Sequence, residues 1–223
     1  MNFSGALEFL TKLRENNNKE WFELHRSEYE RLILEPSKDF VIEMGEHLQA
    51  LVPSISFEPK LNKSLFKIYR DTRRMGSNKE PMKSKIGIIF PQGGYNRRLQ
   101  KSSFYMHFSP DELFVAAGIR WFESDSLQKY REFISDSKNR DRLEAIIDDL
   151  SSSGYKIMGK ELKRYPRGFD STMGELSLYK AMAASISLEA KIVENPHMLI
   201  EVLFTHYEKM LPLQQIVYEM MID

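Results

Sequence analysis

The N-terminal third of the chain repeats apolar side chains at helical spacing. The first stripe precedes the asparagine run 16–18 and consists of Phe3, Ala6, Leu7, Leu10 and Leu13. Asn18 is suited to cap a second helix, because its side chain can accept a hydrogen bond from the first helical turn. Two later stripes have the same period, with Pro36 at a first-turn position between them: Phe22, His25, Tyr29, Leu32 and Ile33, then Phe40, Met44, Leu48 and Leu51. This third is therefore predicted to be helical.

The pattern changes in the middle third. Short segments rich in β-branched and aromatic residues alternate there with turn residues, and they cover 65–69, 86–90, 103–108 and 113–117. Such segments with short connections predict an antiparallel meander.

The last part of the chain returns to helical spacing. Helices are predicted for 126–134 and 141–150, followed by a loop over 151–172 and a helical C-terminal region in which Pro212 begins a final short helix. This order indicates one α+β domain over residues 1–223. Its antiparallel sheet would come from the middle third and pack against N- and C-terminal helices.

The composition excludes several kinds of site. Hydrophobic residues make up 42% of the chain and charged residues 29%, as in an ordinary globular protein. There is no cysteine, which excludes disulfides, thiolate nucleophiles and cysteine-bound metals. The histidines lack metal-ligand spacing, so neither a metal nor another cofactor is predicted. No apolar run is long enough for a membrane span and no signal peptide is evident, so the chain is predicted to be soluble and cytoplasmic.

Positive charge is concentrated in one part of the chain. Residues 60–101 contain twelve Lys and Arg against only Asp71 and Glu80, a local charge of +10 in a chain whose net charge is zero. Such a block repels itself unless acidic faces of the same fold or a bound partner answer it. We therefore interpret this region as an anion-handling surface.

The centre of the block has arginines on both sides of a carboxylate. Asp71 stands between Arg70 and Arg73 and is predicted to orient a guanidinium. Arginine suits a fixed carboxylate or phosphate because its planar fork donates two parallel hydrogen bonds. If this segment is extended, alternate side chains face opposite ways: Leu65, Lys67, Tyr69, Asp71 and Arg73 on one side, and Phe66, Ile68, Arg70 and Thr72 on the other.

Other candidates add charge or a titratable group. Lys79 and Lys83 follow the arginines as point charges, and His107 lies in an apolar strand as either a general base or a hydrogen-bonded core histidine. A second basic loop with Arg164 and Arg167 is a candidate to converge on the same centre. No nucleophile–base pair is visible, so no catalytic residue is assigned. The candidate ligand-binding residues are Tyr69, Arg70, Asp71, Arg73, Lys79, Lys83 and His107.

Several motifs along the chain resemble those of one bacterial family, the domain of unknown function 2461 family. The most recognisable pair is Arg70-Asp-Thr-Arg with Lys79-Glu-Pro-Met-Lys. The others are Asn16-Asn-Asn-Lys-Glu-Trp-Phe, Tyr29-Glu, Glu35-Pro, Phe104-Tyr-Met-His-Phe-Ser-Pro, Val115-Ala-Ala-Gly, Tyr165-Pro-Arg-Gly-Phe, Leu178-Tyr-Lys and Leu211-Pro-Leu. The resemblance supports the fold and draws attention to the arginine motif, but it implies no activity.

Three functions remain open. The leading hypothesis is the binding of a small phosphate- or carboxylate-bearing ligand at the Arg/Asp/Lys centre, with or without catalysis. The main alternative is a structural or protein-interaction domain in which the same residues form an internal ion-pair network. Nucleic-acid binding is weaker, because the neutral net charge and the lack of a known reader motif count against it. The sequence assigns no oligomeric state.

Overall fold

The structure is a computed structural model that describes residues 1–71, 80–171 and 174–222. About 50% of the chain is helical, and a five-stranded antiparallel sheet is combined with N- and C-terminal helices. The predicted α+β class is confirmed. The helices are α1 (Ala6–Glu15), α2 (Lys19–Leu24), α3 (Arg26–Tyr29), α4 (Glu35–Leu51), α5 (Ser124–Ser135), α6 (Ser137–Ser152) and α7 (Pro196–Glu219). The strands are β1 (Ile86–Pro91), β2 (Ser103–Phe108), β3 (Leu113–Ile119), β4 (Lys156–Lys160) and β5 (Tyr179–Leu188), in the sheet order β1-β2-β3-β5-β4.

The chain divides into two compact units. The first contains Met1–Phe90, Tyr105–Val115 and Ser187–Thr205, and the second contains Pro91–Phe104, Ala116–Ile186 and His206–Asp223. Whether the two units act as the predicted single domain stays a prediction.

The first unit is built on the predicted N-terminal helices. The side chain of Asn18 accepts a hydrogen bond from the backbone N–H of Trp21 at 2.9 Å, so the predicted cap is confirmed. Phe3 packs edge-on against Phe108 of β2, with ring centroids 5.1 Å apart. Phe40 of α4 contacts Phe90 of β1 in the same manner at 6.3 Å. The apolar stripes of the sequence thus meet one face of the strands, and this face forms the core of the unit.

The second unit contains two strands that the sequence analysis missed. β4 lies within the predicted loop 151–172, and β5 lies in the region predicted to be helical. The two strands pair antiparallel, with Ile157 opposite Ala184. β5 contains three alanines and one methionine in succession, at 181–184, a composition typical of helices, but pairing on both of its sides satisfies its backbone as a strand.

Pro212 lies inside α7, so the prediction that it begins a separate helix is wrong. A proline in this position removes one backbone hydrogen bond. The residues before and after it keep one helical stripe, and Met210, Leu213 and Val217 are all fully buried. Burial of this continuing stripe offsets the lost hydrogen bond and holds the helix together across the proline.

Candidate functional site

Two segments of the basic block pair with each other and form an arm next to β1. Phe66 N–H donates to the carbonyl of Gly87 at 3.1 Å, and Arg70 N–H donates to the carbonyl of Pro81 at 2.9 Å. Isolated antiparallel bridges join Leu65 to Ile88 and Tyr69 to Met82. We call residues 64–71 and 80–88 the basic arm. The predicted pairing of 65–69 is present, but as separate bridges rather than as a regular strand.

The side chains of the basic arm do not alternate as predicted. Leu65 and Ile68 are both buried, with 2% and 4% of their surface exposed, whereas strict alternation would place them on opposite faces. The two bridges explain this. Between them, the first segment advances four residues, from Leu65 to Tyr69, while the second covers six, from Met82 to Ile88. The extra residues are accommodated by bends at Ile68 and at 84–85. Such a bulge turns side chains away from the regular alternation.

Two candidates of the predicted centre contact other residues of the basic arm. Arg70 forms an ion pair with Glu80 at 3.2 Å, and Asp71 is exposed. Lys83 Nζ donates to the carbonyl of Lys67 at 2.8 Å. Arg73 and Lys79 lie outside the described residues. The proposed role of Asp71 in orienting a guanidinium therefore stays a prediction.

Tyr69 joins a polar cluster on the N-terminal helices. Its hydroxyl donates to Glu23 at 2.9 Å and accepts from Arg26 at 3.0 Å, while Arg26 also contacts both oxygens of Glu23. The hydrogen bond from Arg26, followed by that from Tyr69, lowers the pKa of Glu23. Burial first, and then the hydrogen bond to Glu23, raise the pKa of Tyr69. Glu23 and Arg26 were not predicted as partners of Tyr69, because more than forty residues separate them from Tyr69 along the chain.

Asn17 holds the basic arm against the N-terminal helices. Its side-chain amide accepts from the N–H of Met82 and donates to the carbonyl of Met82, each at 3.0 Å. Met82 occupies a non-hydrogen-bonded position opposite Tyr69, so its N–H and carbonyl point away from the pairing. One asparagine therefore satisfies both backbone groups of a buried residue.

Replacing Asn17 by alanine should leave both backbone groups of Met82 without this partner. We expect Asn17→Ala to lower the free energy of unfolding by about 2 kcal/mol. The neighbouring Asn16→Ala is the matched control, since Asn16 is exposed and, among the described residues, its side chain bonds to the carbonyl of Lys12 on its own helix. Urea denaturation of the two variants measures the difference, and equal losses would contradict this role for Asn17.

His107 is a buried histidine held by a carboxylate and an aromatic ring. Its Nε2 lies 3.4 Å from Oε1 of Glu112, and its ring stacks on Phe114 with centroids 4.8 Å apart and planes at 21°. The other oxygen of Glu112 accepts from the hydroxyl of Ser187 at 2.6 Å. Burial, reinforced by the charge of Lys85, lowers the pKa of His107 to about 4 despite the opposing effect of Glu112. His107 is therefore neutral at pH 7.

A row of aromatic rings connects His107 with the basic arm. Tyr105 lies 5.7 Å from His107 and meets Phe66 at a right angle, 5.9 Å between centroids. Lys83 Nζ in turn lies 5.8 Å from the centroid of Phe66. Gly87 makes room for this row, because a Cβ at that position would lie 3.0 Å from the hydroxyl of Tyr105.

We call this surface the histidine face, and every member belongs to the first unit. Its residues are Phe66, Lys83, Lys85, Tyr105, His107, Glu112, Phe114 and Ser187. It links two of the candidate residues, Lys83 and His107, through the rings of Phe66 and Tyr105, although the two are far apart in the sequence. The predicted hairpin 103–108 and 113–117 already implied that His107 faces Phe114, and that signal could have identified the ring pair. Nothing comparable in the sequence indicated Ser187.

The remaining candidates lie elsewhere. Arg164 and Arg167 are exposed in the second unit, and their convergence on Arg70 stays a prediction. Within the described ranges no group of three or more His, Asp or Glu side chains is placed to hold a metal ion. The helices found in those ranges are too short or too polar to cross a membrane.

Comparison with known proteins identifies a family but no individual similar protein. A search of curated proteins found no match, and neither did a search of solved structures. The family described as "Conserved hypothetical protein (DUF2461)" matches residues 5–215, which is most of the chain. The match agrees with the resemblance carried by the arginine and lysine motifs. The chain therefore belongs to the DUF2461 family.

Proposed function

We propose that the protein binds a small anionic molecule, a phosphate or a carboxylate, where the basic arm meets the histidine face. The observation that supports this proposal is that two lysines act on the aromatic row that ends at the neutral His107: Lys83 lies over Phe66, at the far end of the row, and the charge of Lys85 acts on His107. Lysine ammonium groups act as point charges toward an oxyanion. Arg70, Asp71 and Tyr69 would flank the ligand, together with Arg73 and Lys79.

The charge balance of the basic arm favours an anionic partner. Its described residues contain four basic side chains, at positions 67, 70, 83 and 85, against the acids Asp71 and Glu80. Glu80 is paired with Arg70. Glu112, the acid of the histidine face, already contacts both Ser187 and His107. An added anion would therefore lower the repulsion among the lysines. The proposal concerns binding, and it assigns no catalytic residue.

Titration with inorganic phosphate and with succinate at low salt tests this function. We expect each anion to raise the melting temperature of the parent protein, since a ligand that binds only the folded state stabilises it. Lys83→Gln and Lys85→Gln should each weaken binding, measured by calorimetry, by roughly tenfold. Lys191→Gln, at an exposed lysine outside the histidine face, is the matched control and should bind like the parent. A parent protein whose melting temperature does not respond to either anion would refute the proposal.

A structural role is the second candidate, and the ion pairs favour it. The ion pair between Arg70 and Glu80 joins the two segments of the basic arm. The hydrogen bonds of Tyr69 with Glu23 and Arg26 hold the arm against the N-terminal helices. In this case the basic block serves mainly to pair with acids of the same chain. The same titration separates the two functions. The structural role is indicated if neither anion stabilises the parent protein and if Lys83→Gln and Lys85→Gln lower the free energy of unfolding.

A further inference from the structure

We propose that His107 accepts a hydrogen bond from an O–H group of the ligand, so that the site selects oxyanions that carry a hydroxyl. This inference rests on the proposed anion-binding function and specifies the ligand. Two chemical sources have the required group: hydrogen phosphate, with its P–OH, and a 2-hydroxy carboxylate.

Glu112 determines which nitrogen of His107 carries the proton. A carboxylate can only accept hydrogen bonds, so the ring nitrogen next to it, Nε2, must be the donor. The hydroxyl of Ser187 donates to the second oxygen of Glu112 and keeps the carboxylate in place. A neutral imidazole has one proton, and Nδ1 is therefore a bare acceptor.

This acceptor has no hydrogen-bond partner among the described residues. Nδ1 is buried, and the whole His107 side chain is only 9% exposed. A buried polar atom without a partner destabilises the protein, and its presence in a native site calls for a donor that arrives from outside. The rings of Tyr105 and Phe114 contact the His107 ring and are only half-buried, and binding as proposed requires a side-chain rotation that makes Nδ1 accessible to the ligand.

The surroundings of Nδ1 match an oxyanion with one hydroxyl. Lys85, whose charge acts on His107, supplies positive charge for the anionic oxygens, while Nδ1 supplies a lone pair that only a donor can approach. An oxyanion without a hydroxyl would place its own lone pairs against that of Nδ1. Discrimination by a polar site is strong when the wrong ligand leaves a buried group unpaired.

Hydrogen phosphate and sulfate provide the direct test on the parent protein. In mildly alkaline buffer both are tetrahedral dianions, but only hydrogen phosphate carries a hydroxyl. We expect calorimetry to show phosphate binding about tenfold more tightly than sulfate. Lactate and propionate form the second arm, because they differ only in the 2-hydroxyl group, and a preference for lactate identifies the carboxylate source.

A glutamine at position 107 separates the two nitrogens of the histidine. The amide of His107→Gln reaches the position of Nε2 and can still donate to Glu112, but it offers no atom at Nδ1. This variant should bind phosphate and sulfate equally. His197→Gln, at an exposed histidine, is the control and should keep the preference. In the parent, the nitrogen-15 resonance of Nδ1 should shift on addition of phosphate and remain unchanged with sulfate.

The outcomes distinguish this inference from the function on which it rests. Equal binding of phosphate and sulfate by the parent, weakened by Lys85→Gln, would refute the role of His107 and leave anion binding intact. A preference for phosphate that persists in His107→Gln would also refute that role. A parent that binds none of the four anions would refute both proposals.

Discussion

Gly118→Ala should lower the free energy of unfolding by about 4 kcal/mol, a large effect for a single added methyl group. Gly118 has a φ of +126°, a conformation that L side chains rarely adopt. An added Cβ would lie 2.2 Å from the carbonyl oxygen of Met182 and 2.7 Å from Cα of Ala183, both on the backbone of β5. The strands would have to separate to accommodate it, which would disrupt the sheet of the second unit.

Gly154→Ala is the matched control for this steric effect. Gly154 also has a positive φ, +87°, but apart from its chain neighbours no atom of the described residues lies within 4 Å of an added Cβ. Its substitution should cost only the backbone strain, about 1 kcal/mol. Chemical denaturation followed by circular dichroism measures both variants. Similar losses for the two would show that Gly118 is required for its backbone conformation alone.

Acidification should lower the free energy of unfolding by on the order of 3 kcal/mol, because His107 becomes protonated more easily in the unfolded chain than in the folded one. Burial lowers the pKa of His107 in the folded state to about 4, whereas its ordinary value is 6.5. Between these values the unfolded chain binds the proton and the folded chain does not. The stability from neutral His107 is therefore complete above pH 6.5 and is lost as the pH falls towards 4.

Comparing the pH dependence of parent and His107→Gln isolates this contribution. The variant keeps Lys85 and Glu112, the charged groups that act on His107, but lacks the titrating imidazole. Its stability should fall less than that of the parent between neutral pH and pH 4, as measured by urea denaturation at each pH. His206 also has a pKa lowered by burial, so part of the slope should remain in the variant. Parallel curves would contradict the burial of a neutral His107.

Both proposed roles of His107 depend on the same contacts, but they fail separately. The acid sensitivity requires only that the ring is buried and neutral. The selection of a hydroxyl-bearing anion requires in addition that Nδ1 becomes accessible next to Lys85. A protein that is acid-sensitive through His107 but indifferent between phosphate and sulfate would retain the first role alone.

The local pattern of the sequence determined most of the elements. Three of the predicted middle strands correspond to β1, β2 and β3, and the stripes of the N-terminal third fall mainly on α1 to α4 and on the π-helical segment Glu30–Leu34 between α3 and α4. These elements were predictable because their periodicity comes from one buried face, and because Asn18 caps its helix with its own side chain. The concentration of positive charge and the motifs of the family are likewise properties of the sequence.

Only the tertiary structure decided what β5 is and which candidates meet. The alanines and methionines of β5 fit a helix equally well, and the strand forms because its neighbours in the sheet satisfy its backbone. Lys83 and His107 share a surface because Phe66 pairs with Gly87 and its ring contacts Tyr105. Such contacts depend on register between distant segments, and a register shift in the basic arm overturned the predicted alternation of Leu65 and Ile68. Local propensity carries no information about that register, because it arises only when the segments pair.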